Sequence, residues 1–458
     1  MSDPLDPRRI NASPTKEFFI YMLTRDIPLT RAILDLVDNS VDGARALRQD
    51  GDYSGLWVRI EVARESFKIT DNCGGIPVDV ARNYAFRFGR PKDAPPTPHS
   101  VGQFGVGMKR TFFKLGRHFS VFSATSHSQF DIAIDVERWM DRPEGAIEES
   151  PEDWHFEFNN VEENVSNIAP ETIGTKIEVT RLIDTVSDSF ALETFVNRLR
   201  QEMSVAHQVS MEKGLAVTLN SIPLQHSPQT LFVSEAIKPA FVEKLYPRQA
   251  IDGEEGPPVK VKLFAGVSEK SLHDGGWYIY CNGRLVVRAD QTPMTVWGAA
   301  YVGRNYHHSL ANFRGYAFFE SDNSALLPWT TTKTGIDTDS AVYKHVQQEM
   351  IQMSKPVITF LTQLDTERAS VEAGDSNDRT LELAMERSVA ERTDTVPAST
   401  TFVAPIRPPM PPGPRMQKIQ YLKLADEVKK AMDLLKVRTF TAVGEKTFEY
   451  YMQYEGGE

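Results

Sequence analysis

Residues 33–44, ILDLVDNSVDGA, place three aspartates in a segment whose other residues are typical of a buried helix. Positions three and four apart share one face of a helix, and the polar face formed in this way contains Asp35, Asp38, Asn39 and Asp42. Carboxylates this close repel one another unless a cation or a hydrogen-bonding ligand lies among them. The segment is therefore either an exposed acidic face or one wall of a binding site.

The composition limits the class of protein. A chain of 458 residues is longer than one ordinary hydrophobic core organises, so we expect two or three domains. The net charge of −11 argues against an overall basic nucleic-acid-binding surface and leaves local basic patches open. The two cysteines, Cys73 and Cys281, are far apart in the sequence, which argues against a disulfide framework and a cysteine zinc site.

The sequence also indicates a compartment. The N-terminal residues MSDPLDPRRI contain no apolar signal core, and no stretch approaches the length that spans a membrane. The low cysteine content fits a reducing environment. We therefore expect a cytoplasmic protein without a membrane partner, or a nuclear one if the cell is eukaryotic.

Residues 1–190 are predicted to form one α/β domain. In LWVRIEVA (56–63) apolar residues alternate with charged ones, as in a half-buried strand. Further strand patterns are SFKIT, HFSVFSAT, QFDIAID and GTKIEVTRL. Because few helices separate these strands, we expect an α+β fold with a mixed sheet and helices on one face.

A second α/β domain is predicted over residues 191–365. FVNRLRQEMSVAH is a helical pattern, and GWYIYCNGRLVV is typical of two strands joined by a turn at Asn282–Gly283. An amphipathic helix is predicted over 340–364. From 366 to 414 Glu, Ser, Thr and then proline dominate, so this stretch is predicted to be a disordered or extended linker.

Residues 415–458 are predicted to form a small helical C-terminal element. Apolar residues spaced by three and four resemble a short coiled-coil seam, formed by Tyr421, Leu424, Val428, Ala431 and Leu435. Packing against neighbouring residues and contact with a second chain both explain this spacing. Between 415 and 438 seven Lys/Arg stand against three Asp/Glu, which fits either a phosphate-contacting tail or a solvated helical face.

Two glycine motifs have the chemistry of a nucleotide site. In GQFGVGMK (102–109) three glycines precede a predicted helix, so backbone N–H groups and the helix N-terminus can approach an anion. In DNCGGIP (71–77) the acid at a strand end can accept a hydrogen bond from an exocyclic amine, while the glycines admit a flat ring. Each motif alone is equally explained by an ordinary turn.

The order of the motifs is more specific than any one of them. Five motifs follow one another within residues 10–190: the Asp/Asn helix, the turn with Asp and Gly-Gly, a proline-rich loop, the glycine-rich helix start, and the Gly-Thr of GTKIEV. In this the chain resembles the GHKL ATPases, which include the ATPase subunit of DNA gyrase, MutL and the MORC proteins. The resemblance implies a Bergerat fold, an α/β sandwich that binds ATP and Mg²⁺, followed by a ribosomal-protein-like α/β transducer domain.

The resemblance also assigns candidate residues. Asn39 resembles the family's Mg²⁺-coordinating asparagine. Asp71 resembles the adenine-binding aspartate, with Gly75 in the same motif and Thr175 assisting through a water. The residues that resemble the phosphate-binding lid are Gly102, Gly105, Val106, Gly107 and Lys109.

Two positions depart from the family pattern. The family usually has a glutamate four residues before the asparagine, where it orients the attacking water, and Asp35 stands there. Aspartate can do the same proton chemistry, but it is one methylene shorter, and a misplacement of about 1 Å can lower a rate ~100-fold. Cys73 stands where the first glycine of the adenine motif is usual, and Gly74 can still supply flexibility.

These assignments lead to two competing functions. In the first, Asp35 and Lys333 are the catalytic residues of a slow ATPase that forms a homodimer on binding ATP. Lys333 of PWTTTKTGID then resembles the transducer lysine that contacts the γ-phosphate; its alternative is a solvated loop lysine. Such a switch would clamp nucleic acid or act with a protein partner in a bacterial defence-type complex. In the second, the protein is a non-hydrolysing ATP-binding scaffold.

Overall fold

The computed structural model describes residues 15–89, 100–101, 105, 107–141, 154–247, 258–330, 332–405, 419 and 421–455. The chain divides into two compact units, residues 1–406 and residues 407–458. In the described residues the larger unit contains an eight-stranded and a five-stranded sheet with separate hydrophobic cores, which we call the first and second domains, and a small two-stranded sheet. No helix in the described ranges is both long and apolar enough to cross a membrane.

The helices of the described residues belong to both domains and to the C-terminal unit. The helices are α1 (Lys16–Arg25), α2 (Leu29–Leu47), α3 (Val78–Val80), α4 (Gly107–Leu115), α5 (Val136–Met140), α6 (Asp184–Ala191), α7 (Glu193–Ala206), α8 (Gln208–Glu212), α9 (Ala341–Glu372), α10 (Thr380–Glu386), α11 (Ala425–Leu435) and α12 (Phe440–Tyr454). A π-helical turn, Ala81–Ala85, continues α3, so this helix is short and irregular.

Most predicted strands occur close to their expected positions. The strands are β1 (Trp57–Ala63), β2 (Ser66–Asp71), β3 (Gly116–Ala124), β4 (Ser128–Asp135), β5 (Asn160–Glu163), β6 (Gly174–Leu182), β7 (Ala216–Leu219), β8 (Ile222–Pro223), β9 (Thr230–Val233), β10 (Ala240–Tyr246), β11 (Val259–Val267), β12 (Gly276–Cys281), β13 (Arg284–Asp290), β14 (Phe313–Glu320) and β15 (Val389–Arg392).

The first sheet has eight strands in the order β5-β4-β3-β6-β2-β1-β7-β8. Its neighbouring strands are antiparallel except β1 and β7, which are parallel, so the sheet is mixed. In β1, Val58, Ile60 and Val62 are buried between outward-facing residues, because helices cover one face of the sheet. The predicted α+β class is confirmed, and the mixed sheet with its helices is consistent with the Bergerat fold.

The strand register brings the motif residues together. β2 pairs with β6 so that Asp71 lies opposite Thr175, and β3 pairs with β6 so that Ser123 lies opposite the same threonine. Helix α2 packs into the core of this sheet through buried Ile33 and Val37. The end of β2, the start of β6 and α2 therefore surround the predicted adenine motif.

The first domain extends beyond the predicted boundary at residue 190. Strand β7 pairs with β1, and β8 continues the same sheet. Leu199 and Met203 of α7 are fully buried in the first core, which extends to Leu224. The sequence assigned AVTLNSIPL to the second domain because an alternating pattern predicts a strand without specifying its partner.

The second domain contains a five-stranded sheet in the order β10-β11-β14-β12-β13. The hairpin predicted at Asn282–Gly283 joins β12 and β13, and both turn residues have positive φ. Helix α9 packs against β11 and β14 and buries Tyr343 and Met350. It is longer than the helix predicted over 340–364 and continues through Pro356.

Residues 366–405 are folded onto the second domain and do not form the predicted linker. Helix α10 follows α9, and β15 pairs with β9. The fully buried carboxylate of Glu367 accepts hydrogen bonds from the backbone N–H groups of Leu381 and Glu382 at the start of α10. The amino-acid composition predicted a linker because composition contains no information about a tertiary contact such as that between Glu367 and the start of α10. The proline-rich residues 406–418 lie outside the described residues.

The C-terminal unit contains two helices, α11 and α12. None of the residues in either helix is buried. In the predicted seam, Val428 and Leu435 are half-buried, whereas Leu424 is exposed. The predicted helical element is present, and its contact with a second chain stays a prediction.

Gly75 occupies a position in the loop after β2 that only glycine fits. Its φ of +72° lies in the left-handed region, and an added Cβ would lie 2.0 Å from the carbonyl oxygen of Ala124. Gly55 has a similar φ of +85°, but its Cβ position is open. A comparison of substitutions at the two glycines therefore distinguishes the effect of backbone strain from that of a steric collision.

We expect Gly75→Ala to destabilise the protein far more than Gly55→Ala. The left-handed conformation costs alanine about 1–2 kcal/mol at either site. At Gly75 the collision with backbone adds to this, so the loss should reach roughly 3 kcal/mol or more. Urea denaturation of both variants measures the difference, and equal losses would contradict the close contact with Ala124.

Candidate active site

Helix α2 carries its aspartates on a face that is buried inside the larger unit. Asp38 is fully buried, and Asp35 is 4 % exposed. Isolated carboxylates are unfavourable in such surroundings, and both of these are paired with cations from other parts of the chain. Asp35 and Asp38 are therefore buried and paired, and the alternative of an exposed acidic face does not apply to them.

Asp35 lies between one arginine and one lysine. Its Oδ2 accepts a hydrogen bond of 2.5 Å from the guanidinium of Arg110, which lies on α4. Its Oδ1 lies 3.5 Å from Nζ of Lys333, which comes from the second domain, between β14 and α9. The first and second domains thus meet at this carboxylate.

Asp38 lies one turn further along α2 and receives two cations from the second domain. Lys333 donates to its Oδ2 at 2.7 Å, and Arg284 of β13 lies 3.1 Å from its Oδ1. His207 lies 3.6 Å from the same oxygen. Burial and the nearby Arg284 lower the pKa of His207 well below its ordinary value, so His207 contributes a neutral ring.

Lys333 is held in an unusual position. Its side chain is buried, so the alternative of a solvated loop lysine is wrong. Its φ of +52° lies in the left-handed region, where a non-glycine residue is strained. Such strain persists only where the surroundings hold the residue in place, here by contacts with Asp35 and Asp38.

The third aspartate holds the start of the glycine-rich segment. Both carboxylate oxygens of Asp42 accept hydrogen bonds from the backbone N–H of Val101, at 2.7 and 3.0 Å. The side-chain amide of Asn282, in the β12–β13 turn, donates to the carbonyl oxygen of Ser100 at 3.1 Å. Both domains therefore fix the chain where it enters that segment.

The Asp71 carboxylate lies at the other end of the site. Its oxygens accept hydrogen bonds from the Ser40 hydroxyl at 2.7 Å and from the backbone N–H of Cys73 at 2.9 Å. Burial raises its pKa above the usual value. Opposite Asp71, the hydroxyl of Thr175 lies 2.9 Å from that of Ser123, so polar groups of three strands meet here.

A cleft of about 620 Å³ opens next to the Asp71 loop. Gly43 and Leu47 of α2 line one side, and residues 73–75 line another. The turn between β3 and β4, residues 125–128, also contributes to the lining. This volume lies within the range of about 300–1,000 Å³ that is typical of small-molecule sites.

The sequence of the first domain matches a known family. Residues 27–175 match the family described as "Histidine kinase-, DNA gyrase B-, and HSP90-like ATPase". The match begins just before α2 and ends at Thr175, so it contains both carboxylate sites. Residues 27–175 form a GHKL-type ATPase domain. Membership in this family indicates ATP binding. No curated protein matches the chain.

Within the GHKL-type domain, the start of α4 lies against Asp35. A Cβ added at Gly107 would lie 3.3 Å from the Cβ and Oδ2 of Asp35. Gly105 has a positive φ of +63°, as expected for a tight glycine turn. Gly102 and Val106 lie outside the described residues.

Lys109 differs from its predicted place. Its side chain is 1 % exposed, and Nζ donates to the backbone carbonyl oxygens of Ala85, at 2.8 Å, and of Gly105. Burial lowers its pKa to about 7. The Lys109 side chain thus contacts carbonyl groups of the first domain, whereas the resemblance placed Lys109 in the phosphate-binding lid.

Asn39 fits a magnesium site of the nucleotide type. Its side chain is exposed one turn after Asp35, whose carboxylate is already paired with cations. Within the described ranges, no three His, Cys, Asp or Glu side chains are arranged to hold a metal. A Mg²⁺ ion at Asn39 would take one amide oxygen and fill its other positions with phosphate oxygens and waters, which this ion favours.

Four residues of the site were not predicted from the sequence. Arg110 directly follows the glycine motif, and Ser40 directly follows Asn39, so each adjoins a residue that was singled out. Arg284 lies in the recognised hairpin GWYIYCNGRLVV. His207 is the last residue of the predicted helical pattern FVNRLRQEMSVAH and carries no further local signal.

The low pKa of Lys109 predicts a pH-dependent stability. The native side chain releases its proton near pH 7, whereas the unfolded lysine keeps it up to about pH 10.5. Unfolding therefore takes up a proton between these values, and stability rises with pH there. Relative to Lys109→Met, the wild-type free energy of unfolding should rise by roughly 1 kcal/mol per pH unit from pH 7 to pH 9.

Urea denaturation of both proteins at pH 6, 7, 8 and 9 checks this dependence. Between pH 6 and pH 7 the difference between them should change less than at higher pH, because native Lys109 is still mostly protonated below its pKa of about 7. Parallel stability curves over the whole range would contradict a buried Lys109 that is neutral above pH 7.

Proposed function

We propose that this protein is an ATP-hydrolysing switch in which Lys333 of the second domain responds to the γ-phosphate of ATP bound to the GHKL-type domain. The observation that carries the proposal is the position of Lys333. Its Nζ lies within 3.5 Å of Asp35, a residue 298 positions away that occupies the place of the family's water-orienting glutamate.

The charge of the site supports an anionic ligand. The ionisable side chains that contact Asp35 and Asp38 are Arg110, Lys333, Arg284 and His207. With His207 neutral, three cations face two carboxylates, which leaves one net positive charge. In a buried site this excess favours a phosphate group, and it is supplied partly by the second domain.

The proposed chemistry uses Asp35 as the group that orients water. A carboxylate accepts hydrogen bonds only, so Asp35 can hold one proton of the attacking water and receive it as the bond from water to the γ-phosphorus forms and the bond to the bridging oxygen breaks, which releases ADP. Asn39 would hold Mg²⁺, which neutralises charge on the phosphate oxygens. Asp71 would accept a hydrogen bond from the exocyclic amine of adenine, with Thr175 beside it.

Dimerisation on ATP is part of the proposal. Helix α1 exposes three large apolar side chains, Phe18, Tyr21 and Met22. Their positions in the sequence place them on one face of the helix. Large apolar side chains grouped in this way are typical of a protein contact. We propose that this face of α1, at the edge of the GHKL-type domain, contacts the second copy.

Nucleic acid and an unidentified protein are the proposed partners of the switch, including in a defence-type complex. The excess of basic residues between 415 and 438 favours a phosphate-containing partner, since basic side chains bind nucleic acid largely through phosphate. Adding DNA or RNA to a phosphate-release assay tests this class of partner.

The competing function is a scaffold that binds ATP without hydrolysing it. One observation favours it: both oxygens of the short Asp35 side chain face cations, Arg110 and Lys333, at 2.5 and 3.5 Å. If these contacts persisted with ATP bound, water could not reach the carboxylate. The two functions differ in phosphate release.

We expect Asp35→Ala to lower phosphate release about 100-fold or more while ATP binding stays within about threefold of wild type. The reason is that Asp35 acts on the water and does not contact the adenine or ribose. Steady-state phosphate release and titration with a fluorescent ATP analogue measure the two properties. Asp188→Ala, which removes an exposed acid on α6, is the matched control and should hydrolyse ATP at the wild-type rate.

Equal release from the wild-type protein and Asp35→Ala, with ATP bound by both, would overturn the proposed hydrolysis and support the scaffold. A loss of both ATP binding and phosphate release in Asp35→Ala would instead indicate that Asp35 maintains the structure of the site.

The dimer has its own test. A non-hydrolysable ATP analogue should convert the wild-type protein from monomer to dimer in sedimentation velocity, and Phe18→Ser/Tyr21→Ser should weaken this conversion at least tenfold because polar side chains replace the apolar contact. Leu272→Ser removes an equally exposed apolar side chain from the second domain and should leave the conversion unchanged. A monomer under all conditions would contradict the proposed dimer.

A further inference from the structure

The closest contact of Asp35 is with Arg110. The guanidinium donates to Oδ2 at 2.5 Å, and the Arg110 side chain is only 12 % exposed. Lys333 lies 3.5 Å from the other oxygen, Oδ1, and is closer to Asp38. One carboxylate oxygen is thus fixed by a short charged hydrogen bond, and the other has a longer and shared contact.

Helix α4 is pressed against α2 on both sides of this hydrogen bond. Thr111 donates its hydroxyl proton to the backbone carbonyl oxygen of Ala32 at 2.6 Å. Gly107, one turn earlier, leaves space for the Asp35 carboxylate, because even a Cβ there would approach its Oδ2 to 3.3 Å. Arg110 therefore extends from a helix whose position relative to Asp35 is fixed by two further contacts.

From this geometry we infer that Arg110 is a positioning residue, which holds Oδ2 of Asp35 and so presents Oδ1 to the attacking water. The inference rests on the proposed ATP hydrolysis. A short aspartate cannot reach as far as glutamate, so its carboxylate must be held in one orientation to act on the water. The planar guanidinium supplies a directed hydrogen bond that a lysine ammonium cannot reproduce in the same place.

The same geometry restricts the space for a longer acid at this position. Arg110 already contacts the Asp35 carboxylate, and a Cβ added at Gly107 would lie only 3.3 Å from its Oδ2, so we expect the carboxylate in Asp35→Glu to be crowded. The longer side chain should therefore lower activity, although glutamate is the family's usual residue. Arg110→Lys would enlarge the space next to the side chain at position 35, because lysine ends in a compact ammonium group.

The experiment measures kcat and KM for ATP, together with Tm, in the full-length chain. The variants are Arg110→Ala, Arg110→Lys, Asp35→Glu and Asp35→Glu/Arg110→Lys, and Arg198→Ala is a control because it removes an exposed arginine from α7. We expect Arg110→Ala to lower kcat about 100-fold with KM within about threefold of wild type. The double variant should be at least fivefold more active than Asp35→Glu, and Arg198→Ala should match wild type.

The double variant keeps both charges, so it tests the inference even if Arg110→Ala fails to fold. A wild-type kcat in Arg110→Ala would overturn the inference. A raised KM with an unchanged kcat would also do so, because it indicates a contact with ATP itself. If the two single changes simply multiply in the double variant, Asp35 and Arg110 do not act as a unit. Phosphate release no greater in wild type than in Asp35→Ala would instead refute the proposed function, before Arg110 is considered.

Discussion

The buried charge of Asp38 requires the second domain to be docked on α2. Its carboxylate is fully buried, and its cationic partners, Arg284 and Lys333, both belong to the second domain. Leaving a buried carboxylate without its partner typically costs about 3–5 kcal/mol, which is a large share of the stability of a domain. The contact between the domains is therefore an electrostatic requirement of the helix that carries the candidate active site.

The contact between the domains also links Asp35 to the start of the glycine-rich segment. Asp42 holds the backbone of Val101, and Asn282 of the second domain holds Ser100 from the opposite side. Lys333 meets Asp35 close by. A change in the position of the second domain would therefore change both the charges around Asp35 and the start of the glycine-rich segment, which is what a nucleotide-dependent switch requires.

Features that are local in the sequence could be predicted. The strand GTKIEVTRL and the β12–β13 hairpin occur where alternation and the Asn-Gly turn place them. Features that depend on distant partners could not. The strand β7 was assigned to the wrong domain, and the stretch after residue 366 was read as a linker, because the burial of Glu367 under α10 is a tertiary contact.

The candidate site follows the same division. The acidic stripe predicted that a positive or hydrogen-bonding group must lie among the carboxylates, which is confirmed. The identity of those groups could not be predicted, since Arg284 and Lys333 lie far along the chain. Lys109 was assigned to the phosphate-binding lid because its motif resembles that lid. Its burial depends on Ala85, a neighbour that the motif does not contain.

The extension of the first sheet past the family match has a consequence for folding cooperativity. The sheet is completed by β7 and β8, and His207, which precedes them, lies beside Asp38 and Arg284. The GHKL-type domain thus completes neither its sheet nor its charge balance within residues 27–175. Because Asp38 is paired with Arg284 and Lys333 of the second domain, we expect the two domains of the larger unit to unfold in one cooperative transition.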